Sequence, residues 1–124
     1  MKNIFLSALF ILAIFSISHF IFELTYLYYE IWWLDIPMHI LGGVSFALLF
    51  VSVLNLKNIE IKFSEIILFV FIIGILWEIY EYAIHIYLGK DWNGILDTIK
   101  DLFDDIIGAS IVYFFSIKKL ITTN

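Results

Sequence analysis

Four apolar runs, at 4–28, 36–56, 63–88 and 95–117, occupy most of this 124-residue chain. Each is long enough to cross a bilayer, which takes about 20 helical residues. Inside hydrocarbon every backbone N–H and C=O must find a partner within the protein, and a helix supplies those partners within one segment. The runs therefore predict an all-α fold: a four-helix transmembrane bundle, one domain spanning 1–124. Composition agrees, since 63% of the residues are hydrophobic, against about 45–50% in soluble domains. Mean hydropathy is +1.01. The start resembles a signal peptide in Lys2, an apolar core and Ser16-Ile17-Ser18. The apolar character continues through Phe20, Phe22 and Leu24 to Tyr29, past a normal signal core. The expectation is an uncleaved helix.

The breaks between runs are short. Pro37, the only proline, suits the first turn of the second helix. The stretch 54–62 reads as a polar hairpin, and 88–94, with two glycines and an asparagine, separates the third run from the fourth. Orientation follows from lysine. Lys2, Lys57, Lys62, Lys118 and Lys119 fall on one side, Lys90 and Lys100 on the other. The termini and the 54–62 hairpin are thus expected in the cytoplasm of a multi-pass cell-membrane protein. Ten of the twelve acidic residues then lie in the outer half, with Glu60 and Glu65 the exceptions. His19, His39 and His85 lie there as well.

Helical spacing decides which of these residues meet, because i, i+3, i+4 and i+7 share a face. The stripes are Ser16, His19, Glu23, Tyr26 and Glu30 on the first helix, and Asp35, His39, Gly42 and Phe46 on the second. The third carries Gly74, Glu78, Glu81 and His85; the fourth carries Asp97, Asp101, Asp104 or Asp105, and Gly108. Glycine lets transmembrane backbones approach closely, so Gly42, Gly74 and Gly108 are expected to floor an outward-opening polar cup. Carboxylates this close repel one another and are driven to protonate. A divalent cation relieves the repulsion and accepts oxygen together with imidazole. The expected metal ligands are Asp35, His39, Glu78, Glu81, Asp97, Asp101 and Asp105, with His85, Asp104, His19 and Glu23 as additional candidates. Mixed oxygen and imidazole ligation suits zinc, manganese or iron, with magnesium also compatible. Glu78 and Asp101 are the candidates for general base. The bland alternatives are a helix-cap role for Asp35, an interhelical hydrogen bond for His19, and solvated surface for Glu30, Lys90 and Asp91. Tyr28, Tyr29, Trp32, Trp33, Tyr87 and Trp92 read as an interfacial aromatic belt, and the deeper Trp77 as a packing residue.

The order Asp35-x-x-x-His39 with Gly42-Gly43, then Glu78-x-x-Glu81, then Asp97-Thr98-x-x-Asp101 and Gly108-Ala109, resembles the VanZ-like membrane proteins and is closest to the YjdF-type family. The resemblance spans three of the four helices. It implies a small integral membrane protein and the same outer-half site residues. The chain departs from those families at Ile36, where they commonly carry lysine, and at Asp105, where VanZ-like members often carry asparagine.

Composition also excludes functions. There is no cysteine, hence no disulfide, thiolate site or thiol nucleophile. There is no arginine, and a net charge of −5 without a basic patch argues against nucleic acid and favours cations as ligands. No serine sits in a nucleophile-elbow context. Three functions stay open: a metal-dependent hydrolase or transferase on a lipid or lipid-linked substrate, a non-catalytic metal-stabilised module, and a cation- or proton-coupled transport element. For the first, Lys90, Lys100 and the metal are the groups available to neutralise a phosphate. The inner halves of the helices carry almost no polar group, which disfavours transport.

Overall fold

A computed structural model describes the backbone of residues 2–121 and the side chains of residues 4–116. Among these residues the chain is all-helical, without strands. The elements are α1 (Lys2–Leu24), the single turn α2 (Leu27–Glu30), α3 (Asp35–Leu56), α4 (Phe63–Tyr87) and α5 (Ile95–Ile121). Among the described residues three segments are long and apolar enough to cross a membrane: Ile4–Leu24, Asp35–Leu56 and Phe63–Tyr87. The side chains of Lys2, Lys118 and Lys119, on which the lysine asymmetry partly rests, lie outside the described residues.

The first run is not one helix to residue 28. α1 ends at Leu24, and Tyr26 adopts a left-handed backbone with φ 60°. That turn costs a non-glycine residue some strain, but it folds Tyr28 back until its hydroxyl lies 2.9 Å from Nδ1 of His19. At the end of α3, Asn58 takes the left-handed position with φ 54°. The Ile59 N–H donates to the Leu54 carbonyl and the Asn58 N–H to Asn55, closing the helix in the double hydrogen-bond pattern that left-handed caps allow. Gly89, with φ 66°, closes α4 the same way through Lys90 N–H to His85 and Gly89 N–H to Ile86. These two caps are why the 57–62 and 88–94 connections can be short.

α3 is the central helix, packed most extensively on α5 and next on α1, while α5 also packs on α4. Small residues make this proximity possible. A Cβ on Gly43 would run into the Asp105 backbone, and one on Gly108 into the Ile40 carbonyl. The close α3–α5 crossing therefore depends on Gly43 and Gly108. Gly42 does something else: it faces the Phe15 ring of α1, 3.3 Å from where a Cβ would stand. The expected floor of Gly42, Gly74 and Gly108 is corrected accordingly, because α3 presents consecutive glycines to different neighbours.

Toward the end bearing residues 57–62 the core is apolar: Ala47, Val51, Ile66, Val70, Ala109 and Val112. Hydroxyls in this region bond backward within their own helices, Ser45 to the Leu41 carbonyl and Ser52 to Leu48, which hides their polarity from apolar surroundings. Large apolar side chains meanwhile cover the outside, with Phe10 66%, Phe20 64% and Phe115 76% exposed. So much exposed apolar surface is stable only against another apolar medium.

Candidate functional site

The opposite end, toward residues 88–94, holds the three histidines and every acidic residue except Glu60 and Glu65. Its centre is His39, buried on α3 one turn after Asp35. The His39 Nδ1 lies 3.3 Å from Oδ1 of Asp105. Its Nε2 lies 3.5 Å from both Asp35 Oδ1 and Asp101 Oδ2. The ring thus lies between carboxylates of two helices, held at a distance set by the Gly43–Gly108 crossing one turn deeper. Asp35 is not acting as a cap, since α3 has no side-chain cap hydrogen bond and the Asp35 carboxylate points to His39 and Lys100.

Lys100 is the unexpected member. Its ammonium donates to Asp35 Oδ2 at 2.9 Å and, closer still, to Asp101 Oδ1. Asp97 Oδ1 at 3.8 Å and Asp104 Oδ2 at 3.7 Å complete its surroundings. Four carboxylates therefore engage Lys100, one of the two amines that the sequence suggested for an outside anion. The signal was present: Asp97 and Asp104 stand three and four residues from Lys100, on its own helical face.

α4 supplies Glu78 and Glu81, each held by one oxygen. Thr98 Oγ1 donates to Glu78 Oε2 at 2.7 Å, and Trp77 Nε1 donates to Glu81 Oε1 at 2.9 Å. Oε1 of Glu78 is buried and has no hydrogen-bond partner. Trp77 also packs edge-on against His19, with centroids 4.8 Å apart, so it both packs and orients a carboxylate. Gly74, one turn below Glu78, leaves room for Asp105: its Oδ2 lies 2.7 Å from where a Cβ would be.

Two sets of ligand-type atoms converge. Atoms of His39, Glu78, Glu81 and Asp101 lie within 4.8 Å of one another, as do those of Asp35, Asp97 and Asp101. The second set already surrounds the Lys100 ammonium. In the first, Lys100 reaches only Asp101, through Oδ1, while Oδ2 of Asp101 faces His39 and Glu78 keeps an unpartnered oxygen. A chamber of about 20 Å³ borders this centre, lined in part by His19, Tyr28, His39, Glu81 and Asp105. That is room for about one water or small ion. Above it, a cavity of about 340 Å³ is lined by Glu23, Tyr28, Tyr29, Trp32, Asp35, Glu81, His85, Asn93 and Asp97.

The peripheral candidates fall into place around this centre. His19 is bound to Tyr28 and stacked near Phe15, and burial pushes the Tyr28 phenol up, keeping it a hydroxyl. Tyr28 thus bonds His19 and lines both the chamber and the outer cavity, where the sequence suggested only the aromatic belt. Glu23 lies 3.6 Å from Lys90, whose ammonium also sits 4.8 Å from the Tyr29 ring centroid; Lys90 is therefore not simply solvated. His85 lines the outer cavity, its buried Nδ1 without a hydrogen-bond partner. Asp104 is buried and faces Lys100 at 3.7 Å, its Oδ2 without a hydrogen-bond partner. Sequence reasoning missed Thr98, Tyr28, Lys100 and Gly43 as parts of this arrangement.

A family model described as "Predicted membrane protein (DUF2238)" matches residues 3–120. No curated protein matches, and no solved structure matches.

Proposed function

The chain belongs to the DUF2238 family of predicted membrane proteins, and from that premise we propose that it is a multi-pass cell-membrane protein built to bind a divalent cation. In this reading α5 is a fourth span, the termini are cytoplasmic, and the acidic end faces outward. The ligands are His39, Glu78, Glu81 and Asp101. The observation that carries the proposal is that Glu78, whose buried Oε1 has no hydrogen-bond partner, belongs to a four-residue set of converging ligand-type groups drawn from three helices.

Charge balance supports it. Seven carboxylates (Asp35, Glu78, Glu81, Asp97, Asp101, Asp104 and Asp105) are gathered in an apolar bundle around Lys100 and His39. Carboxylates in such a setting either protonate or hold a cation. Zinc bonds of about 2.0–2.2 Å put opposed ligand atoms no more than about 4.4 Å apart. The observed 4.8 Å spread is within side-chain rotation of that value. Asp105, expected as a ligand, is better placed as the outer carboxylate that takes the His39 Nδ1 proton in a hydrogen bond and aims Nε2 at the ion. Asp35 and Asp97 belong to Lys100.

A bound divalent ion activates water and neutralises phosphate. With the 340 Å³ cavity above the centre, this favours a metal-dependent hydrolase or transferase acting on a lipid or lipid-linked substrate. Glu81 lines both the chamber and the outer cavity, so an ion held by it would be open to that cavity. The resemblance to VanZ-like and YjdF-type proteins is consistent with such a site. The alternative is a non-catalytic module in which the ion only pins α3, α4 and α5 together.

Metal analysis of the purified protein decides first. A stoichiometric divalent ion, lost in Glu78→Gln and in Asp101→Asn, is the expected result. If no divalent ion copurifies and none raises thermal stability, the proposal fails.

A further inference from the structure

Between α4 and α5, on the outside of the bundle, lies a cleft of about 410 Å³ that shares no lining residue with the acidic cavity. Its walls are Ile75 and Ile79 on α4 and Leu102 on α5. At its rim Tyr82 meets Trp92 edge-on, with centroids 5.4 Å apart. At its floor is one polar pair, the Thr98 hydroxyl donating to Glu78 Oε2. The size falls within the range of about 300–1,000 Å³ typical of small-molecule sites.

Glu78 is what makes this cleft more than a gap in packing. One of its oxygens accepts from Thr98 at the cleft, the other has no hydrogen-bond partner, and its carboxylate converges with ligand-type atoms of His39, Glu81 and Asp101. A single carboxylate therefore separates an apolar, laterally open groove from the acidic centre. Ile79 is 59% exposed and Tyr82 46%, so in a bilayer the medium at the mouth is hydrocarbon. A Tyr–Trp pair at the rim is the side-chain chemistry found at the hydrocarbon–headgroup boundary.

We infer that this cleft seats one acyl chain of a membrane phospholipid, with the phospholipid head directed to Glu78 beside the cation centre. The inference rests on the metal-site reading for the head group: bare carboxylates repel a phosphate, and a divalent ion among them attracts it. The apolar walls take the chain whether or not the ion is bound. A laterally open cleft supplies the substrate class that the outer cavity leaves open, a two-part molecule that never leaves the bilayer.

The test uses the full-length protein in nanodiscs containing phosphatidylglycerol with a photoreactive diazirine in one acyl chain. Cross-linked peptides are mapped by mass spectrometry. Labelling of the cleft segments around Ile79 and Leu102 should exceed that around Ile17 and Phe20, exposed on α1, by about tenfold, one decade of affinity. Ile79→Trp fills the cleft from an exposed position and should reduce its labelling to the α1 level. Ile75→Phe is an independent filler with the same expected effect. Equal labelling on α1 and at the cleft, or labelling unchanged in both variants, overturns the inference. Enrichment that survives chelation supports acyl-chain seating even where metal analysis has failed. Uniform labelling of protein with a bound ion overturns acyl-chain seating and leaves the metal reading intact.

Discussion

At the scale of single residues, Lys100 and Glu78 divide the acidic cluster between them. Lys100 neutralises Asp35 and Asp101 directly and has Asp97 and Asp104 within 4 Å, and the Glu78 side is where the proposed divalent cation would sit. Lys100→Gln removes the only lysine in that group and should lower the stability of metal-free protein by about 2 kcal/mol, the range of a charged hydrogen bond. Partial exposure of Lys100 keeps the loss below that of a fully buried pair. Added divalent cation should recover part of the loss, read as the midpoint of thermal unfolding in detergent with and without the metal. A variant whose stability is indifferent to both changes would show that the carboxylates are protonated and need no cation. Gly74→Ala tests the support of the site. The added methyl group would press on Asp105 Oδ2 and Leu102 Cδ2, both side-chain atoms that can yield. Metal affinity should fall about 10–100-fold, as when an outer-layer partner is disturbed, while the protein still folds. Titration of apo protein with the metal measures it.

Among the helices, α3 and α5 form the contact on which the site depends. Asp35 and His39 come from α3; Asp97, Lys100, Asp101 and Asp105 come from α5. Gly43 and Gly108 set how close the two can be. Gly108→Ala places its Cβ against the Ile40 carbonyl, backbone that cannot rotate away. The cost should reach or exceed about 3 kcal/mol, the upper range for overpacking, with loss of metal binding. Gly42→Ala meets only the Phe15 ring at 3.3 Å, and that side chain can shift. Its cost should stay under about 1.5 kcal/mol, as for tolerated core changes. Thermal unfolding of the two variants side by side checks the contrast; equal effects would mean that the α3–α5 distance is not the controlling one. α1 contributes differently, through the Phe15–His19–Trp77 aromatic packing that backs Glu81.

For the molecule as a whole, polarity is segregated along the helix axes. One end has an aliphatic core from Ala47 to Val112, and the other has the carboxylates and histidines. This asymmetry, with the lysine distribution, gives the expected topology. A single cysteine replacing Asp91 should react with an impermeant maleimide added to intact cells. One replacing Glu60 should react only after permeabilisation. The reverse pattern would put the acidic centre on the cytoplasmic side and remove the outer-leaflet assignment.

The sequence by itself determined the helices and their polarity. Apolar runs of bilayer length leave the backbone no alternative to helix, and the spacing of Glu78/Glu81 and Asp97/Asp101 put each pair on one face. It also bracketed the cluster, since a carboxylate in an apolar run has few places to go. What it left open were relations between helices. Which consecutive glycine of Gly42-Gly43 faces α5 depends on helix rotation, which a helix with apolar residues on all sides does not encode. Whether Lys100 serves an outside anion or its own helix's aspartates depends on how near α3 brings Asp35. That Tyr28 returns to His19 depends on the left-handed turn at Tyr26, a position where a β-branched or aromatic residue is not expected. Only tertiary packing decided these, because each is set by the distance between two surfaces and not by the spacing along one.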